Sequence, residues 1–399
     1  MAVGVICEYN PFHKGHLFHL EKTRAAFPGE PIVAVMSGNL VQRGDIAVLD
    51  KTARAKMALL GGADLVVELP LAAACASAGD FACGGVETLV SLGVDKISFG
   101  SEAGDADLLS RAAAATLDLE FDLELRRGME QGLSFASARQ RAAELAAPEL
   151  AAVFASPNNL LAIEYLRAAK GRLAPFPVKR AGAPHDGASD DQTAPLSASL
   201  VRAALARGSL AELSALPGFA REIIQTELND HLAPAFLKGN DRVVLAHLRR
   251  MSAADFLNIP DCSEGLEGRI VSAVKTAETL EELYDLIKTK RYAHSRIRRI
   301  ITRAFFGITR DVPVAPPYLR LLGVSRTGRK FLKERRDGVK IITRPSEVKA
   351  MSGAAQDLFA LESRVTDLWS LFTPKAQESG GEWRRSPVFL ENSAAPENI

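Results

Sequence analysis

The chain has 399 residues, of which 47% are hydrophobic, 24% charged and 6% aromatic; this is ordinary usage for a folded protein of two or three domains and excludes disordered and fibrous classes. The formal net charge of +1 excludes a uniformly basic, nucleic-acid-binding coat. The four cysteines include no C-x-x-C pair, which favours a reducing compartment over a disulfide framework or a zinc ribbon. No secretory signal or membrane-spanning run is apparent, so we expect a cytoplasmic protein without a membrane partner.

Short β-branched runs alternate with helical patterns in the first half of the chain. Strands are predicted at 3–7, 32–35, 65–67, 96–99 and 174–180, and helices at 15–27, 51–60, 81–92 and within 108–170. Continuous apolar strands separated by helices indicate a parallel sheet that is covered on both faces. The first domain is therefore predicted to be α/β and Rossmann-like.

The pattern changes to short helices from about residue 208, for example at 264–277 and 280–290. We predict three parts: an α/β domain over 1–207, a mostly helical C-terminal domain over 208–376, and a flexible tail over 377–399. The tail is rich in Glu, Ser, Pro, Gly and Asn, a composition that buries little apolar surface.

One short motif lies where the first predicted strand turns into the first predicted helix. It is the H-x-G-H pattern of His13, Gly15 and His16. Ligands of open parallel sheets bind at the carboxyl ends of the strands, where a helix N-terminus offers free N–H groups and a positive dipole end. Two imidazoles at this point would stabilise the charge that grows on an α-phosphate as pyrophosphate leaves.

Two other interpretations of these histidines stay open. Histidines three apart also suit a metal, although no acidic or cysteine cluster accompanies them, and we predict no metal site. A histidine is also often a cap or a satisfied core residue. His19 lies further along the same helix, where packing or an edge contact with a ligand is favoured over catalysis.

The surrounding sequence resembles a known family. H-x-G-H after a first strand is similar to the signature of the HIGH nucleotidyltransferase superfamily, and the longer run over 8–16, EYNPFHKGH, resembles the tRNA(Met) cytidine acetate ligase family. Further blocks extend this resemblance over most of the first 200 residues: Val35-Met36-Ser37-Gly38-Asn39, Gln42-Arg43-Gly44, Lys51 with Arg54, Lys56 and Met57, Val67-Glu68-Leu69-Pro70, Phe99-Gly100-Ser101-Glu102 and Ser156-Pro157-Asn158-Asn159.

The resemblance implies a HIGH-type nucleotidyltransferase domain with an ATP site around its first turn. His13 and His16 are the implied catalytic residues. The implied ATP contacts are Ile6, Cys7, Glu8, Tyr9, Asn10, Pro11, Phe12, His13, Lys14, Gly15, His16, Leu17, Phe18, His19, Gly100, Asn158 and Arg180. The last three also have simpler interpretations, as a turn glycine, a helix cap and a solvated edge residue.

A second phosphate-binding element is implied at 196–203, which is similar to the I-S-x-T-x-[IV]-R element of this superfamily. Ser197 and Ser199 are suited to cap a helix and donate O–H bonds, and Arg202 offers a fork of donors to the β and γ phosphates. A Ser-capped, Ala-rich helix is also common. The sequence has Leu196 for Ile, Ser199 for Thr and Lys14 for Asn; the first two changes keep the chemistry, and the roles of Lys14 and His185 stay open.

The resemblance implies a two-step ligation. Acetate attacks the α-phosphate of ATP, giving acetyl-adenylate and pyrophosphate, and the acetyl group then passes to N4 of the wobble cytidine of elongator tRNA(Met). We expect Mg²⁺ to bridge phosphate oxygens without a dedicated protein cage. The segments 37–39 and 42–44 are either the loop that encloses acetate or an ordinary βα turn. No oligomeric state is predicted.

The near-zero net charge conceals one strongly basic segment. Residues 288–344 carry a charge of +14, against −3 for 1–180, −7 for 181–287 and −3 for 345–399. We predict that an RNA backbone binds this segment. A helix over 293–306 would place its arginines on one face, and a tyrosine before it would stack on a base; the predicted RNA contacts are Lys290, Arg291, Tyr292, Arg296, Arg299 and Arg303. A solvated face that pairs with the preceding acidic region is the alternative.

Two rival functions are compatible with the sequence. One is an adenylyltransferase that builds a coenzyme or dinucleotide, although such enzymes are usually compact and lack a basic C-terminal domain. The other is a non-catalytic, nucleotide-dependent RNA-binding adaptor. The intact motif of His13, Gly15 and His16, together with Ser199 and Arg202, favours turnover over binding alone.

Overall fold

The computed structural model describes residues 1–180, 197–263, 265–290, 292–335 and 338–391. In chain order its strands are β1 (Val3–Cys7), β2 (Ile32–Met36), β3 (Leu40–Val41), β4 (Asp45–Ile46), β5 (Leu65–Glu68), β6 (Lys96–Ser101), β7 (Ala174–Lys179), β8 (Tyr318–Ser325), β9 (Lys340–Ile342) and β10 (Val388–Leu390). Its helices are α1 (Lys14–Ala26), α2 (Lys51–Leu60), α3 (Leu71–Ala74), α4 (Ala78–Ser91), α5 (Ala106–Ala115), α6 (Leu119–Glu130), α7 (Phe135–Ala146), α8 (Pro157–Ala169), α9 (Ala198–Ala206), α10 (Gly218–Asn229), α11 (Asp241–Leu248), α12 (Ala253–Leu257), α13 (Leu266–Thr276), α14 (Leu280–Ile287), α15 (His294–Phe306), α16 (Arg326–Glu334), α17 (Gly353–Ser370) and α18 (Gly381–Arg384), with 3₁₀ segments at Pro148–Ala155, Ala211–Ala215 and Pro345–Ala350.

The predicted strands form the parallel part of one sheet, in the order β5-β2-β1-β6-β7. β1 is central, with Val3 opposite Ile32 of β2 on one side and Lys96 of β6 on the other. Helices α4 and α8 cover one face of this sheet, and α1, α2 and α10 cover the other. The predicted parallel, doubly covered α/β architecture is confirmed.

The C-terminal part of the chain returns to this sheet, which the predicted three-part division did not include. β8 pairs antiparallel with β5, and β9 and β10 pair parallel with β8. The residues 377–391 predicted as a flexible tail therefore contain α18 and an ordered strand. The sequence did not predict β8, because a charged residue, Arg320, interrupts the apolar run of this strand. The Arg320 side chain is nevertheless buried and paired with Glu382.

The helices α11–α15 and α17 surround a separate core that includes Trp369 and Phe306. The β3–β4 hairpin, which follows β2, contributes Leu40 and Ile46 to this core. Trp369 Nε1 also donates to the Ala47 carbonyl at 2.8 Å. The helical part is therefore packed directly on the loop at the carboxyl end of β2. Within the described ranges, no helix is both long and apolar enough to cross a membrane.

Candidate active site

The two motif histidines stack on each other at the start of α1. Their ring centroids are 3.7 Å apart and their planes differ by 19°. The Gly15 N–H donates to His13 Nδ1 at 3.0 Å, and the His13 N–H donates to His16 Nδ1 at 3.3 Å. A Cβ on Gly15 would lie 2.9 Å from the His13 ring, so glycine at this position permits the stack.

These two hydrogen bonds define where each neutral ring carries its proton. A ring nitrogen that accepts an N–H bond has no proton of its own, so the proton of each neutral imidazole lies on Nε2. Burial, followed by the proximity of His13, His19 and Arg180, lowers the pKa of His16 well below its usual range. His16 is therefore a neutral N–H donor near pH 7, suited to a phosphate oxygen.

His19 is held against the sheet rather than beside the stacked pair. Its Nε2 lies 2.8 Å from Ser98 Oγ on β6, and Thr23 Oγ1 lies 2.7 Å from the same hydroxyl. Burial, with the nearby Arg180 charge, lowers the pKa of His19 to about 4. This arrangement matches the packing interpretation of His19, and its predicted contact with ATP stays a prediction.

The second predicted phosphate element lies next to the first. Ser197 caps α9 by accepting the Leu200 N–H at 3.3 Å. Arg202 Nη1 donates to the Asn10 carbonyl at 2.7 Å, and its Nη2 donates to Ser199 Oγ at 3.1 Å. Arg202 thus joins α9 to the loop that precedes His13, so two segments 192 residues apart meet at the carboxyl edge of the sheet. The region between these two segments is called the cleft below.

The remaining predicted ATP contacts lie on the β6–β7 side of β1. Arg180 follows β7 and is exposed, and its N–H donates to the Ser101 carbonyl at 3.0 Å; a Cβ on Gly100 would touch its side chain at 3.7 Å. Asn158, in the first turn of α8, donates to Glu102 Oε1 at 2.5 Å. Glu102 also accepts the Asn159 N–H at 3.0 Å, so it orients this turn, a role that the sequence did not reveal.

Several side chains of the predicted run 6–19 are directed into the core, so any contact of these residues with ATP would be made by their main chain, and the predicted contacts stay a prediction. Tyr9 and Phe12 are 1% and 0% exposed and lie in the core under α1. Cys7 Sγ is directed to the Val35 carbonyl, and Ile6 packs against Gly85 of α4. These apolar groups shape the loop from within, because a turn this close to the central strand is covered by helices on both sides.

A fully buried arginine, Arg54 of α2, joins the loops that follow β1 and β2. Its guanidinium donates to the carbonyls of Glu8 at 2.8 Å and Ser37 at 2.9 Å, and also to those of Gly38 and Leu49. Arg54 therefore fixes the main chain of both loops beneath the cleft, and its own side chain is buried away from the cleft. In the sequence Arg54 appeared only as part of the family resemblance.

A buried ion cluster attaches the C-terminal segment beside these loops. Lys51 Nζ lies 2.8 Å from Glu68 and 2.9 Å from Glu382, and Arg320 approaches Glu382 at 2.6 Å. Although burial alone would raise the pKa of Glu382, Lys51, Arg320 and Arg385 hold it at about 2. Pairs separated by some 300 residues leave no periodic signal in a sequence, so this cluster was not predicted.

The predicted arginine stripe of α15 is not a free surface. Arg299 and Arg303 are 8% and 3% exposed, and both approach Asp261. The Arg296 guanidinium lies over the Tyr292 ring at 5.3 Å, and Tyr292 is itself buried. Arg299 and Arg303 therefore serve packing, because α15 is covered by the β3–β4 hairpin on one side and by the loop of Asp261 on the other. This corrects the predicted RNA contacts at Arg299, Arg303 and Tyr292.

Some of the remaining predicted residues are exposed, and others lie outside the described part of the chain. Lys290 is exposed, whereas Arg291 lies outside the described residues. The same holds for 181–196, which include Leu196 and His185. Lys14 is exposed in the first turn of α1.

Comparisons with known proteins identify the family. The model described as HIGH Nucleotidyl Transferase matches residues 1–383. A tRNA(Met) cytidine acetate ligase of Caldicellulosiruptor saccharolyticus is 35% identical over 399 residues, covering 98% of each chain, and one of Syntrophotalea carbinolica is 39% identical over 350 residues, covering 83% of this chain and 81% of that protein. The crystal structure of Thermotoga maritima TmcAL bound with alpha-thio ATP matches with a TM-score of 0.89 at 31% identity, covering 98% of this chain and 100% of that chain. With whole-length similarity in both sequence and fold, the chain belongs to the HIGH nucleotidyl transferase family and, within it, to the tRNA(Met) cytidine acetate ligases.

Proposed function

We propose that this protein activates acetate with ATP, releasing pyrophosphate, and transfers the acetyl group from acetyl-adenylate to N4 of the wobble cytidine of elongator tRNA(Met) in the cytoplasm. The observation that carries the proposal is the stack of His13 on His16 with Arg202 bonded to the adjoining loop. The names of the relatives support the RNA substrate, and the alpha-thio ATP in the Thermotoga maritima structure supports the nucleotide.

We expect ATP to lie along the cleft in one direction. Adenosine would lie by Gly100, Asn158 and Arg180, because these residues share the β6–β7 side. The α-phosphate would lie at the N-terminus of α1, where His13 and His16 provide Nε2–H donors. The leaving pyrophosphate would extend to α9, where Ser199 and Arg202 provide a hydroxyl and a guanidinium.

The chemistry required of these residues is positioning and charge stabilisation. Acetate is a weak nucleophile and the phosphate it attacks is anionic, so close approach is the difficult part of the step. Neutral histidine donors and a fixed arginine reduce that repulsion without a proton transfer. The described residues contain no group of three His, Cys, Asp or Glu side chains suited to a metal, and the Mg²⁺ that would bridge phosphate oxygens stays a prediction.

The tRNA contact nearest the cleft is proposed at Arg43 and Arg298 instead of the buried arginines of α15. Arg43 is exposed in the β3–β4 turn, and this turn rests on α15, where Thr302 Oγ1 donates to the Gly44 carbonyl at 3.0 Å and Arg298 adjoins Gly44. Arg202 and Arg298 both lie within electrostatic reach of Asp45. Positive groups therefore extend from the phosphate element to the outer end of the hairpin, as an RNA backbone requires.

Pyrophosphate exchange into ATP tests the activation step. We expect exchange that depends on acetate and needs no RNA. Exchange that depends instead on a phosphorylated coenzyme precursor would support the rival adenylyltransferase, and nucleotide binding without exchange under any of these conditions would support the adaptor.

A further inference from the structure

A cavity of about 330 Å³ lies between α2, α10 and the C-terminal segment. It is lined by one face of α2, by α10 and Leu232 after it, and by Gln377, Arg385 and Val388 of the C-terminal segment. Among the residues that the structure describes, none of the predicted ATP contacts lines this cavity. Its volume is at the lower end of the range for small-molecule sites.

Helix α2 separates this cavity from the loops beneath the cleft. Lys51 and Arg54 bind Glu68 and the loops after β1 and β2, whereas Thr52, Ala53 and Lys56 line the cavity. With about 3.6 residues per turn, these two sets of side chains lie on opposite faces of the helix. The cavity is therefore a second site, on the far side of α2.

Two opposite charges line the cavity without being paired. The Lys56 ammonium and the Glu227 carboxylate form no hydrogen bond or ion pair, with each other or with any other residue in the described ranges. Asp50 and Arg385, which also line the cavity, are bound to each other, with Arg385 Nη2 donating to Asp50 Oδ2 at 2.8 Å. Lys56 and Glu227 are thus the two charged groups that a ligand could engage.

The cavity wall also has an apolar part. Ile223, Leu232 and Val388 line it, and Ile223 and Val388 are only partly buried by the surrounding core. A ligand that complements the whole wall therefore carries a cation, an anion and an apolar group. An α-amino acid with an apolar side chain has these three parts and is small enough for such a cavity.

We propose that this cavity binds an α-amino acid with an apolar side chain. Its ammonium group donates to the Glu227 carboxylate, its carboxylate accepts from Lys56 Nζ, and its side chain packs on Ile223 and Leu232. Both polar contacts are charge-assisted hydrogen bonds, which are the stronger kind. This site goes beyond the proposed function, and binding to it does not depend on that function.

The charges around Glu227 favour a cation at this point. Burial, followed by Asp50 and Asp230, raises the pKa of Glu227 to about 7, although Arg385 and Lys56 lower it. A bound ammonium group stabilises the ionised carboxylate, whereas a protonated Glu227 would not attract it. The affinity for the amino acid should therefore fall as the pH decreases from about 8 to about 6.

Isothermal titration calorimetry of the full chain with L-leucine tests the proposal. We expect a Kd of about 1 mM or lower, weakened at least tenfold, marked as roughly the loss of one charge-assisted bond, in Glu227→Gln and in Lys56→Met. Glu222→Gln is the matched control, because Glu222 is exposed on the same helix, and it should bind like the wild type. Leucine should raise the melting temperature of the wild type and of this control, and melting curves without leucine establish that each variant is folded.

Two leucine derivatives assign the two ends of the ligand. N-acetyl-leucine lacks the ammonium group and leucinamide lacks the carboxylate, so both should bind the wild type about tenfold more weakly than leucine does. Glu227→Gln should not weaken the binding of N-acetyl-leucine further, and Lys56→Met should not weaken the binding of leucinamide further, because the partner group is already missing.

No binding of L-leucine to the wild type, or equal affinity in the wild type and Glu227→Gln, would overturn the proposal. Displacement of leucine by ATP would place the amino acid in the cleft and would overturn it as well. Acetate-dependent pyrophosphate exchange is measured on the same preparation without leucine, so a failure of the proposed function is recognised separately from a failure of this site.

Discussion

Two helices, α9 and α15, contain arginines that the sequence predicts to be functional, and these arginines differ in their burial and in their contacts. Arg202 of α9 reaches across to the Asn10 carbonyl and retains contact with the cleft. Arg303 of α15 is 3% exposed, donates to the Ala72 carbonyl and approaches Asp261. The first arginine lies beside the proposed phosphate site, and the second connects α15 to the segments of Ala72 and Asp261.

The contrast between these arginines shows that a spaced motif and a local charge count carry different information about a side chain. The phosphate element is a motif, and its spacing at a helix start defines where the arginine points. The basic segment is a count of charges, and a count does not distinguish an exposed guanidinium from one that is buried and paired. Cleft residues should therefore alter activity with little effect on stability, whereas the buried arginines of α15 should do the reverse.

The largest effect is expected for His16→Ala. Loss of the Nε2–H donor at the α-phosphate should lower acetate-dependent pyrophosphate exchange by about 10²–10³-fold, with the free energy of unfolding changed by less than about 1 kcal/mol. Exchange assays and urea unfolding measure the two quantities. Lys14→Ala, between the two histidines and exposed, is the control and should retain most activity; equal losses in both variants would contradict the assignment.

Arg303→Met should affect stability instead. Removal of this buried guanidinium leaves the Ala72 carbonyl without its donor and Asp261 with Arg299 as its remaining partner, so the free energy of unfolding should fall by about 2 kcal/mol. Exchange per folded molecule should stay near the wild-type value. Arg298→Met on the same helix, whose side chain is 40% exposed, should cost less than about 0.5 kcal/mol. Wild-type stability in Arg303→Met would show that α15 is not fastened as described.

Arg202→Met tests the other half of the comparison. A charge-assisted bond to pyrophosphate is worth about 1.5–3 kcal/mol, so exchange should fall roughly 10–100-fold, with a raised KM for pyrophosphate and nearly unchanged unfolding. The matched control is Arg207→Met, because Arg207 adjoins the same helix and is exposed. A purely structural Arg202 would lower stability while leaving the KM unchanged.

Charge reversal on the hairpin side should weaken tRNA binding more modestly. Arg43→Glu with Arg298→Glu should lower tRNA affinity about tenfold and reduce its dependence on salt concentration, since each phosphate contact releases counterions. Acetate-dependent exchange, which needs no RNA, should not change. Arg329→Glu with Lys330→Glu is the control: both residues are exposed on α16, which follows Ser325 at the opposite edge of the parallel strands. Greater loss in this control would move the RNA surface to α16.

The smallest effect is expected from pH. The lowered pKa of His16 means that the unfolded chain binds more protons there than the folded protein does, so its contribution to stability is complete above the ordinary histidine value of about 6.5 and is lost as pH falls further. Exchange should accordingly show no inflection as pH falls from 8 through 6.5. A midpoint near 6.5 that His16→Ala removes would show an ordinary, titrating His16.

The features that could be predicted from the sequence are those with a repeating hydrophobic pattern or a motif of fixed spacing. The five parallel strands, the turn of His13 and His16 and the capping role of Ser197 all follow from local patterns. Three things did not: the return of β8 and β10 to the sheet, the cluster that joins Lys51 to Glu382, and the burial of Arg299 and Arg303. Each depends on a partner far away in the chain, and neither periodicity nor composition identifies such partners.

The central claim is that one cleft activates acetate and supplies the acetyl group to RNA. Mass spectrometry of nucleosides from tRNA(Met), after incubation with the protein, ATP and isotopically labelled acetate, tests it most directly. We predict one labelled N4-acetylcytidine at the wobble position, absent without ATP and absent with His16→Ala. Unlabelled tRNA in the presence of a protein that binds both ATP and tRNA would contradict the account.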